Sequence, residues 1–213
     1  MRYLLIYSGG LDSTTLLYEY KDSIALAVTF DYGSKHNARE IACARENCRR
    51  LGVKHLIIPL GFIGQYFKSD LLLSGGDIPE GSYADENMKS TVVPFRNGIM
   101  LAVAAGLAES YELDGVLLAN HSGDHAIYPD CRPEFIDAMA AAVAAGTYNG
   151  VKVLSPYCNI TKRDIALRGQ ALGVDYSLTY SCYKGGEKHC GKCGTCTERK
   201  EALQGFDSTE YEA

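Results

Sequence analysis

Five short apolar runs punctuate the chain, and a stretch of helical character follows four of them closely. The runs are YLLIY (3–7), IALAVTF (24–30), HLIIPL (55–60), GVLLAN (115–120) and VKVLSP (151–156). Continuous apolar runs of this length, bounded by Gly, Pro or charge, are what a parallel sheet covered on both faces requires. Residues 12–20, 36–52, 97–112, 134–145 and 161–173 read as the helices. The helix at 36–52 carries Ile41, Ala44, Cys48 and Leu51 at helical spacing, with Gly52 as its stop. Thr161 is the expected N-cap of the last, and Gly173 its end. Helix 97–112 is apolar almost all round and is expected to be buried on several sides. Residues 61–92 mix Gly, Pro, Ser and charge without period and read as a long loop. Strand–helix alternation predicts an α/β fold: a parallel, Rossmann-like sheet with helices on both faces and right-handed crossovers. Ligands of such sheets sit at the carboxyl ends of the strands. Three unusual stretches, 8–13, 30–36 and 120–132, all follow predicted strands and are expected to share one crevice.

With 213 residues, the chain is long enough for one full core without disulfides. Its formal net charge of −5 supplies no broad basic field, which counts against non-specific binding to nucleic acid or to an anionic membrane. No apolar run reaches the ~18 residues of a membrane span. The N-terminal apolar stretch is too short for a signal peptide and lacks a cleavage site. A cytoplasmic protein is the expectation.

The loop SGGLDS (8–13) joins the first strand to the first helix. Free N–H groups at a helix N-terminus, with the helix dipole behind them, make an anion site. Gly9 and Gly10 allow close backbone approach, and Ser8 and Ser13 add hydroxyls. Asp12 is placed to orient a donor or to hold Mg²⁺. The loop lacks the lysine and spacing of a Walker A sequence, and it is not G-x-G-x-x-G.

Near the other end, Cys182, Cys190, Cys193 and Cys196 are spaced C-x7-C-x2-C-x2-C. Four thiolates close a tetrahedral Zn²⁺ site, and glycines between them permit tight turns. Lys184, Lys188, Lys192 and Arg199 would temper the charge of such a centre. The same cysteines are also open to reading as free thiols, a redox pair or an iron–sulfur cluster, with His189 as a substitute ligand. A boundary at 176/177 would separate an α/β domain (1–176) from this four-cysteine module (177–213).

SGGLDS matches the S-G-G-x-D-S signature of the PP-loop ATP pyrophosphatases. Taken with FDYGSKHNARE, VPFRNGIML, NHSGDHAIYPDCRPEF and HCGKCGTC, the chain resembles the 7-cyano-7-deazaguanine synthase (preQ0 synthase, QueC) family from about residue 3 to residue 204. The resemblance implies an adenine nucleotide alpha hydrolase-like fold, with ATP held by Ser8, Gly9, Gly10, Leu11, Asp12, Ser13, Thr14 and Thr15. It implies a ligase that turns 7-carboxy-7-deazaguanine, ATP and ammonia into the nitrile for queuosine, and it implies a homodimer. Adenylation replaces an unreactive carboxylate with a leaving group, ammonia forms the amide, and a second adenylation with elimination gives the nitrile. Free ammonium is the expected nitrogen source, since no glutaminase arrangement is visible.

Anionic intermediates need cations, and Lys35, Arg96, Arg132 and Lys162 are candidates. Lys35 stands where the family more often has arginine. Asp124 and Asp130 are candidates to accept the donor edge of the base, with Tyr128 or Phe95 stacking on it. Asp12, Ser13, Lys35, His36 and Arg96 form the expected catalytic set. Asn97 is read either as a substrate contact or as the N-cap of its helix. His36 is read as a proton carrier or a cap, and His121 and His125 as site or solvated loop residues. Cys131 is read as a packing or lining residue. Two alternatives remain: another adenylating PP-loop enzyme, such as a tRNA-thiolating one with an essential cysteine, and a zinc-ribbon module gripping nucleic acid through Lys184, Lys188, Lys192 and Arg199. The stripe AMAAAVAA (138–145) is expected to be a packing face.

Overall fold

The computed structural model describes residues 1–82 and 86–213. Its sheet has five parallel strands, β1 (Tyr3–Ile6), β2 (Ile24–Asp31), β3 (His55–Pro59), β4 (Gly115–Leu117) and β5 (Lys152–Leu154), in the order β3-β2-β1-β4-β5. The first strand is therefore central. Chain order reverses on either side of it, and its carboxyl end opens onto the switch point where α/β sheets bind ligands.

Alternation of side chains along β1 divides the core in two. Leu4 faces one side, with Leu26, Val28 and Val116, under Leu101, Ala104 and Ala108 of α4 (Arg96–Ser110). Leu5 and Tyr7 face the other side, with Ala27 and Leu117. There they meet Leu16 and Leu17 of α1 (Leu11–Glu19), Ala44 and Cys48 of α2 (Asn37–Leu51) and Ile165 of α6 (Lys162–Ala171). Helix α4 is not buried all round, because Ala102 and Gly106 are exposed along one line. The stripe at 138–145 lies on α5 (Pro133–Gly146), where Ile136 and Val143 are the buried residues. Thr161 caps α6 as expected: its hydroxyl accepts from Asp164 N, and the Asp164 carboxylate accepts from Thr161 N.

The structure differs from the sequence reading in places. Strands β4 and β5 are three residues each; past Leu117 one further bond, Leu118 N to Leu154 O, continues the pairing before the chain reaches Asn120, whose Nδ2 donates to Cys131 O. The expected long loop is tied down at several points. It contains α3 (Gly61–Tyr66) and a 3-10 turn at Glu86–Thr91, and Ser34 bridges to Leu72. Residues 83–85 of that loop lie outside the described residues. Asn97 is not the N-cap of α4: Phe95 occupies that position in a left-handed conformation, and the Asp130 carboxylate accepts from Asn97 N at 2.8 Å.

The Cys-rich segment packs into the main body. It forms α7 (Gly194–Ala202), and all four cysteines are buried in the cluster that includes Leu4 and Val28. Arg199 of α7 is fully buried, which removes it from the basic surface cluster expected for a nucleic-acid grip. Lys184 and Lys188 of that cluster pair with Glu80 and Glu210. The Arg199 guanidinium donates to Tyr176 O (2.7 Å), Thr179 Oγ1 (2.9 Å), Ser181 Oγ (3.0 Å) and Thr209 Oγ1 (2.8 Å). Truncation would strand these acceptors away from water. Arg199→Met is expected to lower stability by about 3 kcal/mol or more, read as a shift of the urea midpoint at unchanged slope.

Candidate active site

The turn leaving β1 is built to expose backbone donors. Gly9 sits at φ +89° and Gly10 is extended, so α1 begins abruptly at Leu11. The first intrahelical donor is Thr14 N, bonded to Gly10 O at 3.0 Å. Among the described residues, the N–H groups of Leu11, Asp12 and Ser13 find no protein acceptor, as expected of a first turn. Ser8 Oγ accepts from Gly10 N (3.1 Å) and lies 3.0 Å from Ser13 Oγ, which fixes both hydroxyls at the mouth of the turn. These donors are the ingredients of an anion site.

They open into a cleft at the carboxyl ends of the strands. Ser8, Gly10, Leu11, Asp12 and Ser13 form one wall, and His36, Arg96, Asn97, Asp124, Tyr128, Cys131 and Lys162 complete the expected residues that line it. Lys162, at the start of α6, donates to Glu198 Oε2 at 2.8 Å and lies 3.2 Å from Asp12 Oδ2. Burial works against its charge, but the Asp12 and Glu198 carboxylates outweigh it and hold the ammonium well above its ordinary pKa. His121 is buried rather than solvated. Its Nδ1 accepts from Gly123 N (3.1 Å), so in the neutral ring the proton sits on Nε2, facing Asp124 (3.5 Å) and Glu198 (3.8 Å). Arg96 donates to Tyr32 OH at 3.0 Å and lies over the Tyr32 ring.

Other expected residues lie outside this lining. Gly9 packs the turn against α2. Thr14 and Thr15 are fully buried, bonded to Tyr7 OH (3.1 Å) and Tyr176 OH (2.9 Å). The Lys35 ammonium donates to the carbonyls of Asp70, Gly75 and Gly76, so it fastens the long loop instead of facing the cleft. Phe95 is 58% exposed and meets Phe135 edge-on. Asp130 is occupied in capping α4, and Arg132 Nε donates to His125 O at 2.9 Å. His125 in turn lies 3.8 Å from Cys158 Sγ. Cys131 lines the cleft, but burial and then Asp124 and Asp130 raise its thiol well above the ordinary range. Its sulfur accepts from Asn97 Nδ2 at 3.1 Å. A protonated, occupied thiol is unsuited to sulfur transfer.

The sulfurs of Cys182, Cys190, Cys193 and Cys196 lie within 4.8 Å of one another. Cys190 N donates to Cys182 Sγ (3.3 Å), and Cys193 N and Lys192 N donate to Cys190 Sγ (3.3 and 3.4 Å). Convergent, buried sulfurs with amide donors suit a metal such as zinc. His189 is not among the converging ligands; its Nε2 accepts from Ser181 N.

Comparison with known proteins shows the family of the chain. The family model described as "Queuosine biosynthesis protein QueC" matches residues 2–207. The chain belongs to the QueC family. Curated relatives named 7-cyano-7-deazaguanine synthase include one from Porphyromonas gingivalis, 68% identical with 98% of this chain and 96% of the relative covered. Another, from Desulfotalea psychrophila, is 54% identical over 98% of this chain and 97% of its own. A third, from Methanoregula boonei, is 48% identical over the whole of both. Among solved structures, the NMN synthetase of Francisella tularensis aligns with a TM-score of 0.55 at 12% identity, covering 100% of this chain and 79% of its own, which is a likeness of fold. No helix among the described residues is long and apolar enough to cross a membrane.

The sequence reading missed several lining or supporting groups. Glu198 lies in TCTERK, two residues past a metal-ligand candidate, where it passes for one charge among several. Glu40 lies four residues after His36, on the same helix face, a spacing that was available as a signal. Tyr32 and Asn120 also line the cleft.

The seat of the turn is unforgiving. A Cβ on Gly9 would lie 2.4 Å from Glu40 O and 2.9 Å from Ala44 N, at a φ that side chains rarely adopt. Gly9→Ala is expected to cost well over ~1 kcal/mol, measured by thermal and urea denaturation, because backbone must move on both sides.

Proposed function

We propose that the chain is a 7-cyano-7-deazaguanine synthase that joins 7-carboxy-7-deazaguanine and ammonia at the expense of ATP, as part of queuosine biosynthesis. The observation that carries this reading is the convergence, in one cleft, of the free first-turn donors of α1 with Arg96, Lys162, Asp124 and Tyr128. Donors and cations suit the phosphates and the carboxylate, while a carboxylate and an aromatic ring suit the base.

In the proposed sequence, the amides of Leu11, Asp12 and Ser13 and the hydroxyls of Ser8 and Ser13 hold the phosphates of ATP. The substrate carboxylate attacks the α-phosphorus, and pyrophosphate leaves. Lys162 and Arg96 balance the charge that gathers there. Ammonia displaces AMP to give the amide, whose oxygen is adenylated by a second ATP. Loss of AMP and of the remaining N–H protons leaves the nitrile. Asp124 accepts the donor edge of the deazaguanine, Tyr128 stacks on its ring, and Asn97 supports the pocket. Lys35, Phe95, Asp130 and Arg132 act outside the cleft in this scheme.

Among the described residues, Asp12 Oδ1 is buried without a hydrogen-bond partner, and the surrounding Asp12, Asp124 and Glu198 carboxylates outnumber the Lys162 ammonium. That surplus of negative charge beside a phosphate turn fits a divalent cation, and Asp12 is the residue proposed to hold Mg²⁺ together with the phosphates. The four cysteines are proposed to hold a structural Zn²⁺, which supplies a crosslink and no chemistry. Residues 1–176 are read as the ATP-binding unit and 177–213 as the metal module. Free ammonium as nitrogen source, a homodimer and a cytoplasmic location complete the proposal.

Incubation with the carboxy-deazaguanine, Mg-ATP and ammonium is expected to give the nitrile and AMP, identified by mass spectrometry. Asp12→Ala and Ser13→Ala are each expected to cut AMP release about 10²-fold or more while leaving the circular dichroism unchanged. Full ATP cleavage in both variants would exclude the turn as the active site. Metal analysis is expected to find zinc, and a strong chelator is expected to speed hydrogen exchange across residues 180–200. Iron in place of zinc would contradict the metal assignment.

A further inference from the structure

Among the described residues, the carboxyl groups that line the cleft are Asp12, Asp124 and Glu40. The first two lie in the cluster around Lys162 and His121. Glu40 stands apart from that cluster, on α2 beside the turn, where its Oε1 lies 3.8 Å from the position a Cβ on Gly10 would take, and its side chain is 14% exposed. Its close polar contact is His36 Nε2 at 3.5 Å. The His36 ring stacks on Tyr183 at 5.4 Å, and its Nδ1 is buried without a hydrogen-bond partner among the described residues. The Tyr32 hydroxyl lies 3.5 Å from His36 Nε2. The scheme above leaves this acid unused, yet it calls for a nucleophile that is almost wholly ammonium at neutral pH and has no lone pair until a proton is removed.

We propose that Glu40 binds ammonium within the cleft and takes the proton whose loss frees the ammonia lone pair. The proposal rests on the synthase reading and assigns the nitrogen substrate a place within it. The carboxylate draws the cation in, and among the described residues no lysine or arginine forms an ion pair with Glu40 that would compete for it. Ammonium passes one proton to Glu40, which releases it to solvent through the cleft. The freed nitrogen lone pair attacks the acyl carbon, and the bond from that carbon to the adenylate oxygen breaks with its electron pair going to AMP. The surplus proton of the attacking nitrogen leaves on the AMP phosphate.

The surroundings of Glu40 support such a role. Burial raises its pKa to about 8, against the opposing pull of Arg96 from α4; an ammonium ion beside it favours the carboxylate in the same way, so with the cation bound the group gains and loses a proton close to neutrality. Burial, reinforced by Arg96, lowers His36 to about 3 and keeps that ring neutral. The other titratable groups near Glu40 are Tyr32 beyond β2 and Tyr180 and Tyr183 of the Cys-rich segment, which line the cleft, and Cys43 on α2 itself, whose thiol feels the Glu40 charge from outside it.

The test compares Glu40→Gln with the wild type in three assays at neutral pH. These are acid-dependent ATP–pyrophosphate exchange, hydroxamate formation with hydroxylamine, a nucleophile already neutral, and nitrile formation with ammonium. The expected result is near-normal exchange and hydroxamate formation, with kcat/KM for ammonium reduced about 10²-fold and Glu40→Asp intermediate. Retained kcat/KM for ammonium in Glu40→Gln would overturn the proposal. So would exchange and hydroxamate formation falling in step with the ammonium reaction, which would make Glu40 part of adenylation or of the fold. A wild-type enzyme without acid-dependent exchange would instead sink the synthase reading, and the proposal with it.

Discussion

A single ammonium group holds three separate pieces of this chain in register. Lys162 opens α6, Asp12 opens α1, and Glu198 lies on α7 inside the Cys-rich segment, yet the Lys162 nitrogen is within 3.2 Å of both carboxylates. Buried pairs of this kind contribute little net stability, because desolvation offsets the attraction, but losing one partner is costly. Their effect here is positional. The turn after β1, the capped start of α6 and the Cys-rich segment cannot shift independently without leaving a charge stranded. The cleft therefore depends on a segment far from the turn in sequence.

That dependence bears on the cysteine cluster. Ser181, Tyr183 and Thr195 line the cleft beside or between the cysteines, and Cys193 is the N-cap of the helix that carries Glu198. Arg199, on the same helix, ties the segment to Tyr176 at the end of the α/β portion and to Thr179 just beyond it. A metal ion held by four sulfurs would fix the start of α7, and with it the carboxylate that steadies Lys162. A structural site can thus govern an active site without touching a reactant.

The sheet was legible in the chain because its strands are short, continuous apolar runs, which few other structures tolerate. Thr161 and Gly52 were legible because helix ends require particular chemistry, and each occupies its expected end. The SGGLDS turn and the four-cysteine spacing were legible for the same local reason. Tertiary partners were not. Lys35 carries the charge expected of a cleft cation, but it is spent on three loop carbonyls. Asp130 and Asn97 exchanged roles, since the cap of α4 comes from a carboxylate 33 residues away in sequence. Helix α7 went unread because cysteines and glycines mask its period. Glu198 and Glu40 were missed because nothing local separates a buried acid from a solvated one; only the packing of α2, α6 and α7 does.

The central claim is that the amides opening α1 receive the phosphates of ATP, with the acid to be activated beside them. Its most direct test is a crystal structure with a non-hydrolysable ATP analogue and Mg²⁺. The phosphates are expected against the N–H groups of Leu11, Asp12 and Ser13, with the α-phosphorus open toward Arg96 and Lys162. A nucleotide bound elsewhere, such as in the second cavity beneath Arg39 and His189, with this turn left bare, would contradict the account.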